Sequence, residues 1–345
     1  MLVRFCDLAF SRSGWSRRVS CMCVAILGAE MSPSSRLGRT ISLKLLVLFA
    51  VCLISWPAAI AQERRPIPAL PSPDHELLFG YYALEGRDGS VTEHALGYTN
   101  ADVIEPGAWW VGEDVATYTD WISPFRNQLS SSAGFGRRIH LMLGNGQGRA
   151  DTRGFWPDWQ ETLAVAAPFW DSIAKLEIFH EDDTTPEETR SRIERLEKLL
   201  VEMNLARKPI GGILFKKENW SAEGLDWIGI EAYVTREDAA VYTDPAAAER
   251  YVADLLAADL AAIPEGKRAT VIMMGYKSGP VTEPAVLLAA QRPAYDAARQ
   301  DSKVDELLIF SYSRKGGTRD LPEIRDYHRA IGAAIRARFP HGFNP

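Results

Sequence analysis

From residue 77 onward, short apolar runs alternate with longer stretches in which apolar residues recur every three or four positions. The runs are LLFGYYAL (77–84), ADVI (101–104), RIHLMLG (138–144), LEIFH (176–180), GGILF (211–215), DWIGIEAYV (226–234), ATVIMMGY (269–276) and ELLIFSYS (306–313). Stretches between them, such as IERLEKLLVEM and YVADLLAADLAAI, have helical spacing. This alternation predicts βα units around a parallel sheet. Eight runs in about 260 residues match a (β/α)8 TIM barrel, an α/β fold. An open doubly wound sheet is the other arrangement of such units, but no Gly-rich dinucleotide turn follows the first run.

Helix starts are marked as well. Thr185-Pro186-Glu187-Glu188 and Asp244-Pro245 place a capping side chain before a proline at the first helical position, and Glu283-Pro284 is a weaker version. The segment LPEIRDYHRAIGAAIRARF predicts the helix that closes the ring. Two units deviate: the run at 101–104 is short, and only about ten residues, Lys216 to Leu225, join the fifth and sixth runs, too few for a full helix.

The first 76 residues follow a different pattern. From Met31, basic residues (Arg36, Arg39, Lys44) precede the apolar run LLVLFAVCLISW and then Ala59-Ile60-Ala61. This three-part order predicts a secretory signal peptide at 31–61, cleaved after Ala61, and a periplasmic or secreted mature chain. An uncleaved anchor is the rival, but the apolar core is short for a membrane span. Residues 1–30 read as a gene-model extension ahead of the true start at Met31. Residues 62–76 hold four prolines and read as a Pro-rich linker, leaving 77–345 as the barrel domain.

Composition sharpens this division. The chain has 345 residues, 46% hydrophobic and 24% charged, which excludes collagen-like, disordered and multi-span membrane classes. All four cysteines (Cys6, Cys21, Cys23, Cys52) fall in the first 61 residues, so the mature chain folds without disulfides. Of the 39 basic and 45 acidic residues, 32 and 43 belong to 62–345, a net charge of −11. Nucleic acid and anionic membrane surfaces are poor partners for such a chain. After signal-peptide removal, a monomer is expected.

In barrels of this kind the site lies at the C-terminal ends of the strands. Acids cluster there: Glu85 after the first run, Glu181-Asp182-Asp183 after the fourth, Glu218 after the fifth and Glu231 in the sixth. Aromatics accompany them, including Tyr82, Trp109, Tyr233, Tyr276 and Tyr312. Glycosidic bond cleavage needs one carboxyl group that keeps its proton near neutral pH and a second that is ionised. Aromatic faces suit the C–H surfaces of sugar rings.

The chain resembles the secreted TIM-barrel glycoside hydrolases over about the whole of 77–339. FGYY resembles the first strand of chitinase-like barrels, LEIFHEDD lies where many families keep an acid after strand 4, and DWIGIEAYV resembles the sixth strand of clan-A enzymes. The resemblance implies a glycoside hydrolase acting on an oligo- or polysaccharide without a cofactor. The chitinase Asp-x-x-Asp-x-Asp-x-Glu run is absent, and strand 7 ends in MMGY where a clan-A enzyme has its nucleophilic Glu. A non-catalytic carbohydrate-binding barrel is therefore the alternative.

Strand alternation narrows the candidates. Gly229, Glu231 and Tyr233 share one face, so Glu231 is a site candidate or else a structural acid. On the fourth run the faces are Glu177/Phe179/Glu181 and Ile178/His180/Asp182, which selects Glu181, or His180 with Asp182, unless these acids only precede the Thr185 helix cap. Glu181 (or Asp182) and Glu231 are thus the candidate catalytic groups. Tyr82, Glu85, Trp109, His140, His180, Glu218, Tyr233, Tyr276, Tyr312 and Arg314 are candidates for lining substrate. Glu218 reads more readily as a surface ion pair.

Other chemistries have weaker support. The loops Gly275–Gly279 and Ser313–Thr318 are Gly-rich and cationic, which could hold a phosphorylated or uronic acid ligand or could be ordinary turns. His140 and His180 could meet near Asp182, but no His-x-His or His-Glu-x-x-His occurs and no metal is expected. No Gly-x-Ser-x-Gly elbow is present.

Overall fold

Eight parallel strands follow one another around a barrel: β1 (Leu78–Tyr81), β2 (Ala101–Ile104), β3 (Arg138–Met142), β4 (Ile173–Asp182), β5 (Ile210–Leu214), β6 (Trp227–Ala232), β7 (Arg268–Met274) and β8 (Val304–Phe310). The sheet order is β1-β8-β7-β6-β5-β4-β3-β2, with every ladder parallel. The protein is a (β/α)8 TIM barrel. The computed structural model describes residues 67–345 apart from 83–96, 107, 110–120, 145–148, 152–153, 235–238, 278–280, 282, 311–316 and 344–345. The expected signal peptide at 31–61, the residues before it and the start of the expected linker lie outside this set.

The seam between β1 and β2 is closed by a side chain. Asn100 Oδ1 accepts the Phe79 N–H at 2.6 Å, its Nδ2 donates to Leu77 O at 3.1 Å, and its own N–H donates to Phe79 O at 3.0 Å. One asparagine thus satisfies backbone groups that a regular ladder would otherwise pair. Gly80 permits the approach, since a Cβ there would lie 2.5 Å from Ala101 O.

The helices begin where the capping residues stand. Helices α1 (Ile122–Gly134) and α2 (Trp159–Ala166) follow β2 and β3. Thr185 forms a capping box with Glu188 at the start of α3 (Pro186–Glu202), and Asp244 caps α5 (Pro245–Ala262), just after the short α4 (Ala239–Thr243). Helices α6 (Pro284–Gln300) and α7 (Pro322–Arg338) also start at prolines. Between β5 and β6 there is only a 3-10 helix, Lys217–Ser221, in keeping with the short connection. The sequence pattern does not anticipate a small antiparallel sheet of Ala108–Trp109, Gly154–Trp156 and Arg149–Asp151, set in the connections after β2 and β3.

Two apolar layers result. The larger lies between strands and helices, and a smaller one fills the upper barrel with Tyr82, Met142, Ile213, Ile272 and Leu308. Beneath the smaller layer the barrel interior is charged rather than aliphatic.

Candidate active site

The site begins with an irregularity in β4. Against β5, Glu177 pairs with Gly211, Phe179 with Gly212 and Asp182 with Leu214, so β4 carries an extra residue twice. Gly212 permits this, because a Cβ there would lie 2.1 Å from Phe179 O. Strict alternation is broken. Ile178 and Phe179 both join the outer core, while Glu177, His180 and Glu181 turn inward. Glu181 has φ +51°, a left-handed conformation that glutamate seldom adopts and that is held here by the surrounding strands. Asp182 points outward, accepting from Arg192 Nη1 of α3 at 2.7 Å, with the same guanidinium 5.6 Å from the Phe179 ring.

On β6, alternation holds. Trp227, Gly229 and Glu231 face inward, with Tyr233 continuing the row; Ile213 occupies the space that a side chain at Gly229 would need. Glu231 lies within electrostatic reach of Glu181 and of the Tyr233 hydroxyl. Burial, and after it the Glu181 charge, push the Glu231 carboxyl up to about 7, with Tyr233 opposing. The same surroundings, burial first and then Glu231, raise the Tyr233 hydroxyl. Two interacting carboxyl groups therefore sit at the C-terminal end of the barrel, and Glu231 holds a proton near neutral pH.

Below the pair runs a ladder of buried charge. Tyr82 Oη donates to Glu177 Oε1 at 2.5 Å, and His180 Nδ1 lies 2.7 Å from that hydroxyl and 3.1 Å from Glu177 Oε1. His140 bridges two carboxylates, with Nε2 3.0 Å from Glu177 Oε2 and Nδ1 2.9 Å from Glu306 Oε2. Glu306 Oε2 also receives the Thr270 hydroxyl at 2.9 Å and Lys175 Nζ at 3.2 Å, and Lys175 reaches Asp305 at 2.8 Å. His140, Glu177 and Glu306 are fully buried.

Each buried charge is balanced by its neighbours. Burial alone would neutralise Glu306, but Lys175, His140 and Thr270 outweigh it and hold the carboxyl at about 2. Burial opposes the charge on His140 too, yet Glu306 and Glu177 raise it to about 9. Glu177 also lies below its usual range, because hydrogen bonds from His140 and His180 exceed the cost of burial. Burial and Glu177 together raise the Tyr82 hydroxyl.

The structure thus brings Glu181, Glu231, Tyr82, His180 and Tyr233 together. Tyr276 joins them through Phe310, whose ring is 5.3 Å from Tyr276, 6.2 Å from Tyr233 and 6.3 Å from Tyr82. His140 does not line the mouth: it is enclosed between two carboxylates, so its expected substrate contact is replaced by a place in the charged ladder. Asp182 is likewise turned away by the bulge, and Glu218 is exposed on the 3-10 helix after β5. Glu85, Tyr312 and Arg314 lie outside the described residues, as does the Trp109 side chain.

Lys175, Glu177, Glu306 and Phe310 were not singled out from sequence. The available signal was a charge inside an apolar strand run, as in LEIF and DELLIF. Among the described residues, no group of three or more His, Cys, Asp and Glu has a metal-holding arrangement.

No family model matches the chain, and no curated protein matches it in sequence. Several solved structures are similar in shape. The endo-beta-1,4-mannanase from Thermotoga petrophila is 9% identical with a TM-score of 0.47, covering 76% of this chain and 78% of that one. PbGH5A, a glycoside hydrolase family 5 enzyme from Prevotella bryantii B14, is 12% identical with a TM-score of 0.49, covering 70% and 86%. Endo-glycoceramidase II from Rhodococcus sp. is 12% identical with a TM-score of 0.47, covering 74% and 78%. The fold rests on the strand order above, and at these values the similarities assign no activity.

Proposed function

We propose that the protein is a secreted glycoside hydrolase that cleaves an oligo- or polysaccharide with Glu231 and Glu181. The observation that carries this reading is the carboxyl pair: burial and the neighbouring Glu181 charge let Glu231 keep its proton to about pH 7. A proton held near neutral pH is what a leaving glycosidic oxygen needs from a general acid, and the carboxylate across the bond supplies the nucleophile or base. The positive φ at Glu181 supports a site, since such strain persists where the surroundings impose it. Tyr82, Tyr233, Tyr276 and Phe310 offer ring faces for sugar C–H surfaces.

Glycosidases hold their two carboxyl groups about 5–5.5 Å apart for retention and about 6.5–9.5 Å apart for inversion. Their separation in a sugar complex then distinguishes the two outcomes.

The test is release of reducing ends from a panel of neutral and acidic polysaccharides. Glu231→Gln, which keeps shape and removes the acid, is expected to lower release at least about 100-fold while binding persists. Unchanged hydrolysis removes Glu231 from the mechanism. Binding without turnover by the unaltered protein overturns the hydrolase reading in favour of a carbohydrate-binding barrel.

A further inference from the structure

The ladder under the carboxyl pair assigns a proton position that the proposed hydrolysis does not use. Tyr82 gives its only hydroxyl hydrogen to Glu177 Oε1 at 2.5 Å. His180 Nδ1 then faces two oxygens with no hydrogen to offer it, the Tyr82 hydroxyl oxygen at 2.7 Å and Glu177 Oε1 at 3.1 Å. Both contacts are satisfied only if Nδ1 carries the hydrogen. In the neutral ring Nε2 is therefore the basic nitrogen. A carboxylate that orients an imidazole in this way is the arrangement that prepares histidine to accept a proton.

We infer that Glu177 is a positioning residue that fixes His180, the neighbour of Glu181 in β4, as the Nδ1–H tautomer and so leaves the buried Nε2 as its basic nitrogen. The tautomer stands on the hydrogen-bond geometry alone.

The remainder of the ladder keeps Glu177 in place. Its second oxygen, Oε2, accepts from His140 Nε2 at 3.0 Å, and His140 is anchored by Glu306 at 2.9 Å, itself held by Lys175 and Thr270. Glu177 thus has one acceptor oxygen for each histidine, and no bond in the row can reverse without displacing the next. The near-parallel stacking of the Tyr82 and His180 rings, 5.7 Å apart at 9°, restrains the imidazole plane as well.

The experiment is nitrogen-15 NMR of the imidazoles in the unaltered protein without added sugar, with His180 assigned by loss of its signals in His180→Asn. The expected spectra have the neutral form of His180 protonated on Nδ1 and bare on Nε2, and His140 protonated on both nitrogens at pH 7.5. A hydrogen on His180 Nε2 with Nδ1 bare overturns the inference.

Glu177→Gln provides the second arm. Glutamine offers one acceptor oxygen where glutamate offers two, so one histidine must give up its hydrogen toward position 177. Either His140 becomes neutral or His180 changes tautomer. If both keep the native pattern, Glu177 does not position them. Neither arm depends on turnover, so a failed polysaccharide panel and a wrong tautomer are separate results.

Discussion

His140 gives the ladder a consequence for folding that can be measured across pH. Within the fold it holds its proton to about pH 9, whereas histidine in an unfolded chain releases it near 6.5. The native state binds more protons through this interval, so the stabilisation is fully present below pH 6.5 and is lost as pH rises through about 9. The gap of about 2.5 pH units corresponds to about 3 kcal/mol at roughly 1.4 kcal/mol per unit. The low value for Glu306 describes the same contact from the acid's side, so the two are not added. Urea unfolding of the unaltered protein and of His140→Gln, measured from pH 6 to 9.5, isolates the contribution. The unaltered protein should lose about 3 kcal/mol more than the variant over this range, at up to about 1.4 kcal/mol per unit. At pH 6.5 the variant should be about 3–5 kcal/mol less stable, because Glu177 and Glu306 lose the charge between them. Parallel stability curves would refute the claim that a charged His140 holds the two carboxylates.

Further outcomes follow from other parts of the molecule. His328, enclosed by Tyr81 and Gln291, has its pKa lowered by burial to about 3, so it stays neutral in the fold and stability should fall as pH drops from 6.5 towards 3. In His328→Gln that acid-side slope should be shallower in urea titrations, and an unchanged slope would place the loss elsewhere. Asp182→Asn should leave polysaccharide hydrolysis within a few-fold of native and cost about 0.5–1 kcal/mol, since it removes a partly exposed ion pair to Arg192; a hundredfold loss of turnover would return Asp182 to the mechanism. Gly212→Ala should destabilise by about 1–3 kcal/mol in thermal unfolding, because its Cβ would press on Phe179 O and disturb the bulge that turns Glu181 inward. N-terminal sequencing of protein recovered from a secreting host should begin at Gln62, and a retained apolar segment would contradict the proposed cleavage.

Local patterning along the chain was enough to determine the barrel. All eight apolar runs overlap the eight strands, and Thr185 and Asp244 cap the helices whose starts they mark. Even the missing helix between β5 and β6 could be read, because a ten-residue connection has room for little more than a turn. Glu231 and Tyr233 were also legible, since β6 is regular and its alternation carries through to the mouth. β4 was not. Its face assignments fail after Glu177 because the two extra residues exist only relative to β5, where Gly212 lets the backbone close in. Strand alternation is a property of one segment, whereas a bulge is a property of a pair.

The ladder was hidden for the same reason at longer range. His140 and Glu306 are separated by 166 positions and meet only when the barrel closes, as do Tyr82 and Glu177 across 95. Sequence could mark Glu177 and Glu306 as charges set among apolar neighbours. Which cation neutralises each of them, and which carboxyl group keeps a proton near pH 7, was decided by tertiary structure, because burial and the nearest opposite charge set those energies.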